Sequence, residues 1–147
     1  MKKLTATLNL TDEEMAELER LCGTPTFQRR VDPWMVECFS REIADDVPER
    51  NHRFLEEALE LVQSASCTRE EAHMLVDYVF GRPIGHPLQE AGGVMLTLAA
   101  LLNALKIDMM AAGEIELRRV NSPEIIAKIR AKQATKPHSS PLPGSGQ

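Results

Sequence analysis

Between Pro87 and Leu105 the chain carries a single charged residue, Glu90. Leu88, Ala91, Val94, Met95, Leu98, Leu101, Leu102 and Leu105 recur at helical spacing and make one broad apolar arc, so this segment requires burial and any fold has to be built around it. Glu90 lies at the edge of that arc, and its own helix has no Lys or Arg. An unpaired carboxylate in such surroundings is costly unless a cation or hydrogen-bond donors compensate it. Gly92 and Gly93, just inside the same helix, each cost about 1 kcal/mol relative to alanine. Their presence implies that something comes close: a neighbouring helix, a ligand or water.

The remaining segments also read as helices, and no alternating strand pattern occurs. Thr11-Asp-Glu-Glu14 is a capping box opening a helix to about Leu21, stopped by Gly23 and Pro25. Asp32-Pro33 is expected to start a second helix running to about Ala44. A third begins near Glu49 to His52, and Thr68-Arg-Glu-Glu71 is a second capping box for a fourth, ended by Gly81 and Pro83. Pro87 suits the first turn of the apolar helix, Asp108 caps a helix to about Val120, and Ser122-Pro123 caps the last. The segmentation is an N-terminal helical extension (1–48), an α-helical core (49–133) and a Pro/Ser/Gly-rich tail (134–147) expected to be disordered.

With 147 residues and 43% hydrophobic content, one domain is the economical reading. The longest low-polarity run, Gly92 to Leu102, is shorter than the roughly 20 residues of a membrane span, and the first residues lack a signal-peptide core. A cytoplasmic protein without membrane contact is expected. Cys22, Cys38 and Cys67 form no disulfide or zinc pattern and read as reduced packing residues. A net charge of −5 argues against nucleic-acid binding, which depends on cations neutralising phosphates, and 4% aromatics leave few stacking platforms. Free nucleotides remain open as ligands.

The third helix places Phe54, Leu55, Ala58, Leu59, Leu61 and Val62 on one arc, with Glu56, Glu60 and Gln63 opposite and Glu57 at the border. Glu57 and Glu60, at i and i+3, can aim at one point, as can Glu56 and Glu60 at i and i+4. Three like charges so close repel one another, and they read either as a solvated face or as a metal site. A divalent ion shared with Glu90 relieves both problems, and oxygen-only ligands favour Mg²⁺ or Mn²⁺ over zinc.

EEALEL (56–61) followed by QEAGGVMLTLAALLNALKIDMMAAGEIEL (89–117) resembles the MazG-like branch of the all-α nucleoside triphosphate pyrophosphohydrolases, over about residues 49–133. The resemblance implies an all-α helical bundle assembling as a homodimer or homotetramer, with ExxE on one helix and ExxD at the start of another. It implies Mg²⁺ held on these acids and cleavage of an NTP or dNTP to the monophosphate and pyrophosphate. Glu57 and Glu60 match the first motif and Glu90 the opening acid of the second, as metal ligands and catalytic residues, whereas Gly93 stands where the family has Asp. The stretch from Glu60 to Glu90 is also long for the family.

Glu56 and Asp77, the latter an i, i+4 neighbour of His73, are candidate substitute ligands or ordinary solvated groups. Asn103 reads as a base-edge contact or a helix-packing bond, and Lys106, Arg118 and Arg53 as phosphate contacts or surface charges. His52 stands beside Arg53 before the acidic helix, and Trp34 reads as a core residue or a base-stacking platform. Two other function classes stay open: a catalytically degenerate nucleotide binder, favoured by Gly93, and a helical oligomerisation or interaction protein, favoured by the apolar helix.

Overall fold

The computed structural model describes residues 11–23, 25–137 and 140–142. Among them the chain is all-α, as expected, with eight helices and no strand. These are α1 (Asp12–Cys22), α2 (Phe27–Phe39), α3 (Arg41–Ala44), α4 (Val47–Ser64), α5 (Arg69–Phe80), α6 (Pro87–Leu105), α7 (Met109–Val120) and α8 (Pro123–Ala134). Of the expected tail, residues 138–139 and 143–147 lie outside the described residues, as do residues 1–10 and the side chain of Cys22.

Side-chain caps fix most helix starts, which is why those starts follow the local sequence. Thr68 and Glu71 complete their capping box: the Glu71 N–H donates to Thr68 Oγ1 at 3.2 Å and the Thr68 N–H to Glu71 Oε2 at 2.8 Å. The Thr11 and Glu14 box closes in the same way. Asp46, Asp108 and Ser122 accept from the N–H groups of Glu49, Ala111 and Ile125. At its other end α6 stops at Lys106, which adopts the left-handed conformation with φ 60° and ψ 36°.

The start of α2 departs from expectation. It begins at Phe27, capped by Thr26, whose Oγ1 accepts from the Arg29 N–H at 3.4 Å. Asp32 does not cap, because both its carboxylate oxygens accept from Arg41, at 2.9 and 2.8 Å. Pro33 therefore lies inside the helix, where it lacks an N–H to donate. The expected single helix to Ala44 is divided at Ser40, which has φ 80°.

The N-terminal extension is integrated with the C-terminal helices. α2 packs on α3 and α8, and α7 packs on α8. Trp34 donates from Nε1 to the Val120 carbonyl at 3.3 Å and meets Phe39 edge-on at 6.4 Å, so it serves packing here. Arg30 pairs with Glu114 across the α2–α7 contact, and Arg130 of α8 donates from Nε to the Glu37 carbonyl at 3.0 Å. Among the described residues the buried apolar ones are Cys38, Leu102, Val120 and Ile126, one each from α2, α6, α7 and α8. Burial raises the Cys38 thiol above its ordinary value, consistent with a packing role.

This core leaves α5 and α6 uncovered. Met74, Leu75, Tyr78, Val79 and Phe80 of α5 and Val94, Met95 and Leu96 of α6 are exposed. By length and composition α6 is also able to cross a membrane, with a mean hydropathy of 1.3 and 6% of its window buried within the chain.

Candidate functional site

The long amphipathic α4 presents its acids in two directions. Glu57 faces the C-terminal helices, within electrostatic reach of Glu116 on α7 and Lys132 on α8. Glu56 and Glu60, close enough to Glu57 to act on its charge, line a cavity of about 530 Å³ between α4 and α5. Leu55, Leu59, Val62, Ala72 and Val76 give this cavity its apolar lining, and His52, Gln63, Thr68, Arg69 and His73 give polar groups. An apolar body with a few polar contacts is the usual character of a small-molecule site. The His73 ring accepts from Arg69 Nε at 3.3 Å.

Glu57 is the electrostatically stressed member of the group. Partial loss of hydration, then the charges of Glu60, Glu56 and Glu116, raise its carboxyl above the ordinary value, with Lys132 opposing. Glu116 is held in the ordinary ionised form by Arg119, whose Nε donates to it at 2.7 Å and which lowers its pKa. The sequence pattern did not single out Glu116. Only the tertiary placement of α7 brings it within electrostatic reach of Glu57, so the residue carries no local mark of its position.

Raised acids carry a definite pH signature. A carboxyl with a raised folded pKa binds protons more tightly in the folded chain, so its contribution to stability declines as pH rises from the ordinary 4.5 through the folded value. Glu57→Gln should therefore melt higher than wild type at pH 7 in metal-free buffer. That difference should vanish at about pH 4, where the wild-type acid is protonated in both states. Melting curves of the two proteins across this range check the sign.

Glu90 stands apart. It occupies the first turn of α6 and is exposed, and its carboxylate lies against the preceding loop so closely that a β-carbon on Gly85 would run into it. Among the described residues no group of three or more His, Cys, Asp or Glu side chains is gathered to hold a metal ion. Carboxylates of the right chemistry for a hard divalent cation are present on α4, and one chain alone does not bring Glu90 to them. Gly92 and Gly93 face open space, with nothing within 4 Å of a β-carbon added at either.

The remaining candidates are dispersed. Asn103 is exposed near the end of α6, Lys106 is its left-handed cap, and Arg118 is exposed on α7 near Glu114. Asp77 is exposed on α5, and its carbonyl accepts from the Gly81 N–H at 3.0 Å. Arg53 is the exception: it pairs with Glu56, donates to the Pro141 carbonyl and lies 3.5 Å from Glu49. Compared with known proteins, the chain matches no family model, no curated protein sequence and no solved structure.

Proposed function

We propose that the chain is a nucleotide pyrophosphohydrolase of the MazG-like type, Mg²⁺-dependent, converting an NTP or dNTP to the monophosphate and pyrophosphate. The observation that carries this is the crowding around Glu57, a carboxyl raised by lost hydration and by Glu60, Glu56 and Glu116, a situation that a divalent cation relieves. Glu57 and Glu60 would hold Mg²⁺, or Mn²⁺, from α4. When bound, the ion neutralises phosphate charge and lowers the pKa of an attacking water. Glu56, which lines the cavity, is held by its ion pair with Arg53. The apolar side of the cavity takes the nucleoside.

Glu90 joins the site from a second copy in this proposal, as does the cover for α5 and α6. Two features support that arrangement: the apolar surface on those helices, and the open space beside Gly92 and Gly93, which admits a close neighbour. Met95→Glu, placed on the exposed α6 face, should convert a dimer or tetramer to a monomer in sedimentation velocity. Recovery of wild-type protein only from detergent-extracted membranes would instead assign α6 to a bilayer.

The functional test is incubation with each NTP and dNTP plus Mg²⁺ or Mn²⁺, followed by assay of monophosphate and pyrophosphate. Product from at least one nucleotide is expected. Binding of nucleotide without turnover would favour the degenerate binder that Gly93 suggests. Absence of both nucleotide binding and metal binding would favour an interaction protein built on the exposed α5–α6 surface.

A further inference from the structure

Leu55, Leu59 and Val62 of α4 and Ala72 and Val76 of α5 wall the α4–α5 cavity, and among the described residues no Phe, Tyr or Trp lines it. A flat ring entering here gains aliphatic contact rather than stacking, so one ring is told from another at the polar edge. Glu56 is the fixed acceptor of that edge. Its side chain is 28% exposed, and Arg53, one turn earlier on α4, donates from Nη1 to its Oε2. Arg53 is in turn held 3.5 Å from the buried Glu49 carboxylate. This pairing leaves Glu56 Oε1 for a ligand, and a carboxylate already bound by a guanidinium has little rotamer freedom left to lose on binding. Glu60, one turn further along, lines the same cavity but is committed to the metal in the function proposed above.

We propose that Glu56 selects a nucleobase with an exocyclic amino group, cytosine, adenine or guanine, over uracil and thymine. That the ring belongs to a nucleotide rests on the function proposed above, whereas the demand for a donor at its edge rests on Glu56. An ionised carboxylate only accepts hydrogen bonds. The amino group of cytosine, adenine or guanine donates to it, in a bond strengthened by the charge. Uracil and thymine present a carbonyl where cytosine presents its amino group, so the same approach sets two acceptors against each other and leaves Oε1 without a partner. Because Glu56 keeps some exposure, water offsets part of that loss. The discrimination expected is therefore about tenfold or more, below the ratios reached by sealed polar sites.

Binding of free nucleosides to the metal-free protein tests this apart from hydrolysis. Cytidine is compared with uridine, and adenosine with purine riboside, which lacks only the amino group, by titrating the amide resonances of Leu55, Glu56, Leu59 and Ala72. In at least one pair the amino form should bind tighter by about tenfold or more. Glu56→Gln should abolish that preference, since a carboxamide also donates, to a uracil carbonyl among others. Should this variant not fold, the carbon-13 resonance of the Glu56 carboxyl in wild type gives the same answer: it should shift with the amino nucleoside and not with its counterpart.

Equal affinity within both pairs, a preference that survives Glu56→Gln, or no shift at these amides with any nucleoside would overturn the selection. A preference for the amino form in a protein that hydrolyses no nucleotide would uphold the selection and refute the hydrolase. Equal kcat/KM for CTP, UTP, ATP and ITP would uphold the hydrolase and refute the selection.

Discussion

Glu49→Ala should lower the melting temperature by about 10 °C, from a loss of roughly 3–5 kcal/mol at about 2–4 °C per kcal/mol for a chain of this size. Glu49 is 7% exposed and is the buried carboxylate that Lys136 pairs with, while Arg50 and Arg53 stand 3.6 and 3.5 Å from its Oε1. Those two distances allow charge attraction without a hydrogen bond, and Glu49 Oε1, Arg50 Nε and Nη2 and Arg53 Nε have no hydrogen-bond partner. Burial, then Arg53, push the Arg50 guanidinium below its ordinary value, with Asp46 opposing. Removing Glu49 leaves a buried lysine and two arginines facing one another, so the cost is mainly that of uncompensated charge. The double replacement Glu49→Leu with Lys136→Met removes both buried charges and should recover most of the loss. A shift below about 2 °C in Glu49→Ala, measured by calorimetry, would mean that water reaches the cluster freely.

The second large effect falls on activity. If the proposed hydrolase is right, Glu57→Ala and Glu60→Ala should each reduce turnover by at least about 100-fold, since loss of a proposed metal ligand exceeds the 10- to 100-fold typical of outer-shell changes. The two acids point to different sides of α4, one toward Glu116 and Lys132 and one into the cavity, and a metal held by both would sit over the edge between them. Glu60→Ala should also alter nucleotide affinity, because Glu60 lines the cavity. Glu57→Ala should act on metal affinity first. Steady-state kinetics at several Mg²⁺ concentrations separates the two: added metal should partly rescue Glu57→Ala, and a full rate in either variant would remove that acid from the site.

The helices were largely legible because their starts are local events. Thr68 with Glu71, Asp108 before Met109 and Ser122 before Pro123 satisfy orphan N–H groups using residues within one turn. Asp32-Pro33 carried the same local mark and misled, since Arg41, nine residues away, claims the carboxylate and leaves Thr26 as the cap. The acids of α4 were legible as a crowded group from their spacing. Their division between two sides was not, because it depends on where α7, α8 and the residues after α8 settle. The buried Glu49–Lys136 pair joins positions 87 residues apart, and neither carries a pattern that names the other. Glu90 was legible as an unusual charge on an apolar helix, yet one chain places it against Gly85 and away from the acids of α4.

The proposed function requires a divalent ion bound at Glu57 and Glu60 in an assembled protein. Electron paramagnetic resonance titration of Mn²⁺ measures this most directly, with wild type, Glu57→Gln, Glu60→Gln and Glu90→Gln compared in the presence and absence of a non-hydrolysable nucleotide. The prediction is that Mn²⁺ binds to wild type, that each substitution weakens this binding by about tenfold or more, and that monomeric Met95→Glu loses it together with Glu90→Gln. Mn²⁺ bound equally by all these proteins, or by none with nucleotide present, would contradict the claim.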